Sequence, residues 1–301
     1  MTLAVVMVTP QVAFAGADRR YSGVEAVKDF KAIKICSLET TDAHGLLTFA
    51  GIGARAYREP FELSEWVTHV LRGCKRTLDE SLQAIAQAAT EQRMHMMVPG
   101  HAFAFGGFKD RAMTLQIVTS QTDLFSMETS GKRTKLEVPG ETRPFRVINL
   151  NFPHRQKVAV FMLGSGAPHL NAKLLIDLAR QGRRARTKEE GGARIGSLWA
   201  WINRKVSMRQ ADVGPECICA WRYRDGGGNH VAYAADGTRE ANTGMMPAVG
   251  QGMPISDIVG RLFEHMQRQL DALAKGREIE MNQEITDRLM EGLSVKPRTK
   301  F

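Results

Sequence analysis

Apolar positions come in short runs at the start of the chain and at helical spacing later. Residues 3–8, 12–17, 32–38 and 45–50 are β-prone runs separated by turn material. Leu63, Trp66, Val67, Val70 and Leu71 then recur at helical spacing up to Gly73, and Thr77-Leu78-Asp79-Glu80 is a capping-box pattern opening a second helix to about Arg93. Strand signals return over 102–106 and 113–118, joined by a tight turn around Lys109-Asp110, and again over 158–163, which ends in Gly164-Ser165-Gly166. Leu170, Leu174, Leu175 and Leu178 mark a third helix stopping near Gly182; Ile195, Leu198, Trp199 and Ile202 mark a fourth. Strands over 217–223 and 231–234 follow, with Gly226-Gly227-Gly228 as the turn between them.

The order is strands, two helices, strands, two helices, strands. Such segregation, in place of strict βαβ alternation, implies antiparallel sheets with helices packed outside them. The polar, proline-containing stretch 120–156 reads as an inserted hairpin or lobe within a domain spanning 2–236. After Asp236 the composition changes: 244–254 reads as a glycine and methionine linker, and 237–301 as a helical extension. There, Ile258, Val259, Leu262, Met266, Leu270 and Leu273 hold one apolar stripe, and a further helical piece is expected over 278–293. The stripe packs either on its own domain or on another subunit.

Composition narrows the classes. With 301 residues the chain can bury a core without staples, and no apolar run reaches the roughly 18 to 20 residues a membrane helix needs. Basic residues outnumber acidic ones by 41 to 32, which permits nucleic-acid contact, but no aromatic-basic stacking pattern accompanies the charge. Cys36, Cys74, Cys217 and Cys219 lack paired metal spacing and read as reduced thiols, hence a cytoplasmic protein. Ala13-Phe14-Ala15 imitates a signal-peptidase site, yet no charge precedes Asp18 and Thr9-Pro10-Gln11 interrupts the apolar stretch, so two strands fit better. The Gly226 to Gly228 turn lacks a phosphate-loop context, Gly164-Ser165-Gly166 lacks nucleophile-elbow spacing, and the histidines, His101 among them, lack ligand spacing. No metal and no cofactor is expected.

What remains is the N-terminus. A small residue at position 2 generally allows methionine removal, leaving Thr2 with a free α-amine. Thr2 opens a strand; the next strand leads to Asp18-Arg19-Arg20-Tyr21-Ser22-Gly23; Lys31-Ala32-Ile33-Lys34-Ile35 heads the third; the fourth ends at Ala50-Gly51. This arrangement resembles the proteasome β-subunits and the HslV-type peptidases, within the N-terminal-nucleophile hydrolases. Asp18 lies sixteen residues after Thr2, as in that family, and Gly164-Ser165-Gly166 matches its Gly-Ser-Gly.

The resemblance implies a four-layer αββα sandwich of two antiparallel sheets. It also implies a threonine peptidase in which Thr2 is nucleophile and base, a lysine ammonium held by Asp18 favours the alkoxide, the Gly51 amide is the oxyanion donor and Ser165 bonds the amine region. For the lysine two counts disagree. Lys34 has the family's usual separation from Thr2, whereas the strand pattern places Lys31 at the strand head, and pattern makes Lys31 the first choice, with Lys34 on the opposite face. The implied partners are peptide or unfolded-protein substrates, a homo-oligomeric ring and an ATP-dependent unfoldase, with no membrane and no nucleic acid. One departure stands out: Gln210 and Val213 occupy positions where the family has aspartate and serine, with Asp212 or Ser207 as local substitutes. The competing readings are an inactive scaffold subunit and, from the charge, a nucleic-acid-binding protein.

Overall fold

A computed structural model describes residues 2–20, 32–51, 54–55, 61–94, 101–121, 123–127, 133–137, 144–150, 158–170, 172–184 and 188–275. Lys31 and the 278–293 piece lie outside the described residues.

The strands are β1 (Ala4–Val8), β2 (Val12–Asp18), β3 (Ile35–Glu39), β4 (Ala43–Ala50), β5 (Ala54–Arg55) and β6 (Phe61–Glu62), followed by helices α1 (Leu63–Leu71) and α2 (Leu78–Glu91). Next come β7 (Ala102–Lys109), β8 (Ala112–Thr119), β9 (Asp123–Met127), β10 (Arg133–Glu137), β11 (Arg146–Asn149) and β12 (Ala159–Leu163). Helices α3 (Ala172–Arg184) and α4 (Lys188–Ser207) precede β13 (Cys217–Tyr223) and β14 (Gly228–Tyr233), and the described chain closes with β15 (Ala248–Gly250), β16 (Met253–Pro254) and α5 (Ile255–Ala274).

Two seven-stranded sheets result, in the orders β10-β9-β12-β1-β2-β13-β14 (sheet I) and β11-β8-β7-β4-β3-β15-β16 (sheet II). Neighbouring strands pair antiparallel except β15, which runs parallel to β3. The segment expected as an insertion therefore supplies strands to the edges of both sheets, β9 and β10 to one and β11 to the other. Within the segment expected as a linker, β15 is tied to sheet II by Ser37 N–H to Pro247 O at 2.8 Å and Gln251 N–H to Glu39 O at 2.7 Å.

The central strands are buried on both faces, so they read as continuous apolar runs with no polar alternation. Their side chains still alternate. Leu3, Val5 and Met7 face a core shared with Leu178 of α3 and Trp199 of α4, while Ala4, Val6 and Val8 face a core shared with Leu46, Phe108 and Ile117 of sheet II. The far side of sheet II packs Leu47, Phe49 and Phe103 against Trp66 of α1 and Leu82 of α2. Helices, sheet I, sheet II and helices thus enclose three cores. α2 starts with the expected capping box: Thr77 Oγ1 accepts from Glu80 N–H, and the Glu80 carboxylate accepts from Thr77 N–H. The β7–β8 turn is a two-residue loop in which Asp110 and Arg111 both have positive φ, 49° and 66°, the handedness that suits twisted strands.

The sheets approach most closely at Gly106, where a Cβ would lie 2.1 Å from Val6 Cγ1. Gly106→Ala is expected to lower stability by about 1–3 kcal/mol through overpacking. Gly260→Ala, on an exposed turn of α5 where a Cβ meets nothing within 4 Å, should instead be neutral or stabilising by up to about 1 kcal/mol. Urea midpoints of the two variants check the contrast.

Candidate active site

Strand register gathers the site. In sheet I, Ala4 pairs with both Ala17 and Leu163, and Cys217 pairs with Asp18, so the start of β1, the ends of β2 and β12 and the start of β13 share one rim. In sheet II, Ile35 pairs with Thr48, and Ala102 pairs with Ala50 and Thr119, so the start of β3, the end of β4 and the start of β7 share another. Lys34 joins the two rims. Its Nζ donates to Thr2 Oγ1 at 2.8 Å and to Asp18 Oδ1 at 3.0 Å, and also to the Arg20 carbonyl.

All three side chains are buried: Thr2 is 3% exposed, Asp18 0% and Lys34 1%. A carboxylate in such a place must have its lone pairs met. Asp18 Oδ1 accepts from Leu3 N–H at 3.0 Å as well as from Lys34, and Oδ2 accepts from Gly214 N–H at 3.1 Å and Arg20 N–H at 3.2 Å. The Lys34 pKa is lowered from its ordinary 10.5, because burial penalises the ammonium more than the Asp18 carboxylate and its hydrogen bond restore. Thr48 Oγ1, donating to the Lys34 carbonyl at 2.7 Å, holds the backbone from which this side chain departs.

The loop after β12 closes over the other side of Thr2. Gly166 N–H donates to the Thr2 carbonyl at 3.2 Å. Gly164 has φ +86°, and a Cβ there would sit 2.0 Å from the same oxygen, so only glycine fits. Between them, Ser165 Oγ is buried and has no hydrogen-bond partner among the described residues. Gly51 follows β4 with φ +120°, and a Cβ on it would meet His101 Nδ1 at 2.3 Å. His101 is fully buried, its ring edge-on to Phe103 and Phe145, and burial pushes its pKa down to about 3.

The structure thus brings Thr2, Asp18 and the Ser165 loop together and sets Gly51 at the end of β4 on the sheet II rim that Lys34 shares. The ammonium in reach of Thr2 Oγ1 is that of Lys34, which corrects the preference for Lys31. The parity argument assumed one regular strand through both lysines, but β3 begins only at Ile35, so alternation does not govern Lys34. Neither local substitute enters the site at the family's aspartate and serine positions. Val213 is a core residue, Gln210 donates to Asp212 at 3.1 Å, and Ser207 Oγ donates to the Arg204 carbonyl at 2.8 Å.

Three contributors carried no usable sequence signal. Gly214 N–H and the Arg20 carbonyl are backbone groups, and His101 had no ligand-like spacing. A shallow surface cavity between α3 and α4, lined by Gln181, Arg194 and Ser197, holds none of these groups. Among the described residues no group of three or more His, Cys, Asp or Glu is placed to hold a metal ion, and no helix is long and apolar enough to cross a membrane.

Neutral burial of His101 has a signed consequence. The unfolded chain binds a proton at this residue below its ordinary 6.5, and the folded chain only near 3, so stability falls as pH drops through that interval. The full displacement corresponds to no more than about 5 kcal/mol. Urea unfolding between pH 7 and pH 4 should show a shallower acid loss for His101→Leu, which cannot titrate, than for the parent protein.

No family model matches the chain, and no curated protein matches it. Solved structures with some similarity are Anbu from Hyphomicrobium sp. strain MC1 (11% identity, TM-score 0.45, covering 93% of this chain and 100% of that one) and its Gly-1 mutant (12%, 0.42, 88% and 97%). Anbu (ancestral beta-subunit) from Yersinia bercovieri is a third, at 10% identity and TM-score 0.38, covering 93% of this chain and all of that one. These findings correct the resemblance to proteasome β-subunits and HslV-type peptidases read from the motifs: neither family models nor curated sequences support it, and the structural likeness is to Anbu proteins, at a level that assigns neither a family nor an activity.

Proposed function

We propose that this protein hydrolyses peptide bonds with Thr2 as the nucleophile, its own α-amine, once freed, serving as general base. The observation that carries the reading is the Lys34 ammonium, hydrogen-bonded at once to Thr2 Oγ1 and Asp18 Oδ1 in a buried place. A buried lysine is costly, and a structural ion pair would not need its ammonium on a hydroxyl oxygen. An ammonium there favours the alkoxide that a threonine must approach to react.

In the proposed reaction Thr2 Oγ attacks the scissile carbonyl carbon as its proton passes to the α-amine, whose ordinary pKa of about 8 suits neutral pH. The Gly51 N–H would receive the developing oxyanion, and Ser165 Oγ would bond the amine region. The amine then returns the proton to the leaving nitrogen, the C–N bond breaks and an ester on Thr2 remains. Water, deprotonated by the same amine, hydrolyses that ester. The fold that fits this reading is an N-terminal-nucleophile sandwich, and the chemistry requires that cleavage expose Thr2.

One observation favours a second reading, a scaffold without turnover: Gln210 and Val213 bring neither a carboxylate nor a hydroxyl to the amine. Protein whose intact mass shows that it begins at Thr2, yet which leaves unstructured peptides uncleaved, would establish the scaffold and sink the peptidase.

For the peptidase, Thr2→Ala abolishes hydrolysis while leaving the urea midpoint near that of the parent. Lys34→Ala lowers kcat about a hundredfold or more, the scale of a lost proton-transfer or charge-stabilising group. The Lys34 pKa is depressed, so loss of its proton should produce an alkaline limb in the rate profile below pH 10.5. Asp18 raises that pKa, so Asp18→Asn should move the limb to lower pH; a limb that stays in place separates Lys34 from the rate.

A further inference from the structure

α5 stands apart from the three cores. Its principal packing is against β15, near its own start, and Leu262, Phe263, Met266, Leu270 and Leu273 are 45 to 63% exposed. Exposed apolar side chains in one stripe along a helix mark an interaction surface. Their spacing indicates what covers it.

Val259, Leu262, Met266, Leu270 and Leu273 are separated by three, four, four and three residues, a pattern that reads the same in both chain directions. A helix of the same sequence laid antiparallel, with the two Met266 residues facing each other, sets Leu262 against Leu270 and Val259 against Leu273. The same reversal exchanges Asp257 with Lys275, Arg261 with Asp271 and Glu264 with Arg268, each an exchange of opposite signs. In a parallel pair every one of those charges would lie alongside its like. At 100° per residue the six charges fall on the side away from the stripe, and Gln267 and Gln269 lie at its flanks, so pairing desolvates no charge among them.

We propose that α5 is a self-docking surface, pairing antiparallel with α5 of a second copy of this chain about a two-fold axis at Met266. A two-fold contact requires a self-complementary patch, and this stripe is one in both spacing and charge sign. The inference is independent of the chemistry at Thr2.

Its test uses the full chain in a Cys74→Ser background, since Cys74 is an exposed thiol. Under mild oxidation with diamide, a mixture of Leu262→Cys and Leu270→Cys proteins should give a crosslinked heterodimer, and Met266→Cys should crosslink to itself, while Leu262→Cys alone should not. In sedimentation equilibrium, Met266→Glu should weaken association at least tenfold with its helical circular dichroism retained. Arg268→Ala, on the far side, should leave association unchanged. Self-crosslinking of Leu262→Cys, a parent protein that is monomeric at tens of micromolar, or association unaffected by Met266→Glu would each overturn the proposal.

Discussion

Keeping one ammonium group out of water between two sheets is the constraint on which the rim is built. An isolated charge there would cost several kcal/mol, and its partner carboxylate as much again, so the pair persists only because every lone pair of Asp18 is met. Leu3, Arg20 and Gly214 supply backbone N–H groups from the start of β1, the end of β2 and the loop before β13. Sheet I thereby holds the carboxylate, sheet II brings the lysine, and their meeting point is the hydroxyl of Thr2.

The surrounding glycines follow from the same crowding. Gly164 lets the β12 loop lie against the Thr2 carbonyl, and Gly51 makes room for His101. The uncharged imidazole fills space behind the end of β4 without adding a second charge to a place that already holds a coupled pair. Lys34 sits between opposed influences, desolvation against the Asp18 field, which leaves its proton more loosely held than on a surface lysine. The C-terminal part of the chain obeys a different logic. β15 extends the edge of sheet II, and α5 leaves that edge with its apolar face uncovered.

Much of this was legible in the chain order itself. Double-faced apolar runs for β1 and β2, the helical spacing of Trp66 and Trp199 and the capping box at Thr77 are local signals, and each depends on periodicity or on hydrogen bonds within a few residues. The spacing of Thr2 and Asp18 was readable for a similar reason: two strands joined by a short turn bring their outer ends together. By the same local logic the apolar stripe of α5 was visible as a pattern, although what it packs against was not.

The choice between Lys31 and Lys34 shows where such reasoning stops. Side-chain parity holds within a regular strand, and where β3 begins is set by its pairing with β4, a contact that no local pattern encodes. The pairing of β15 with β3 across some two hundred residues is equally invisible, because a three-residue edge strand takes its conformation from the neighbour it bonds. Backbone donors such as Gly214 N–H carry no residue identity at all, and the burial of His101 depends on Phe103, Phe145 and Gly51 arriving together. The sequence by itself determined which segments form strands and helices and that Thr2 and Asp18 lie at one end of a strand pair, since short-range periodicity and turn length govern both. Only the tertiary structure decided which ammonium meets them, because that depends on how two sheets distant in sequence are set against each other.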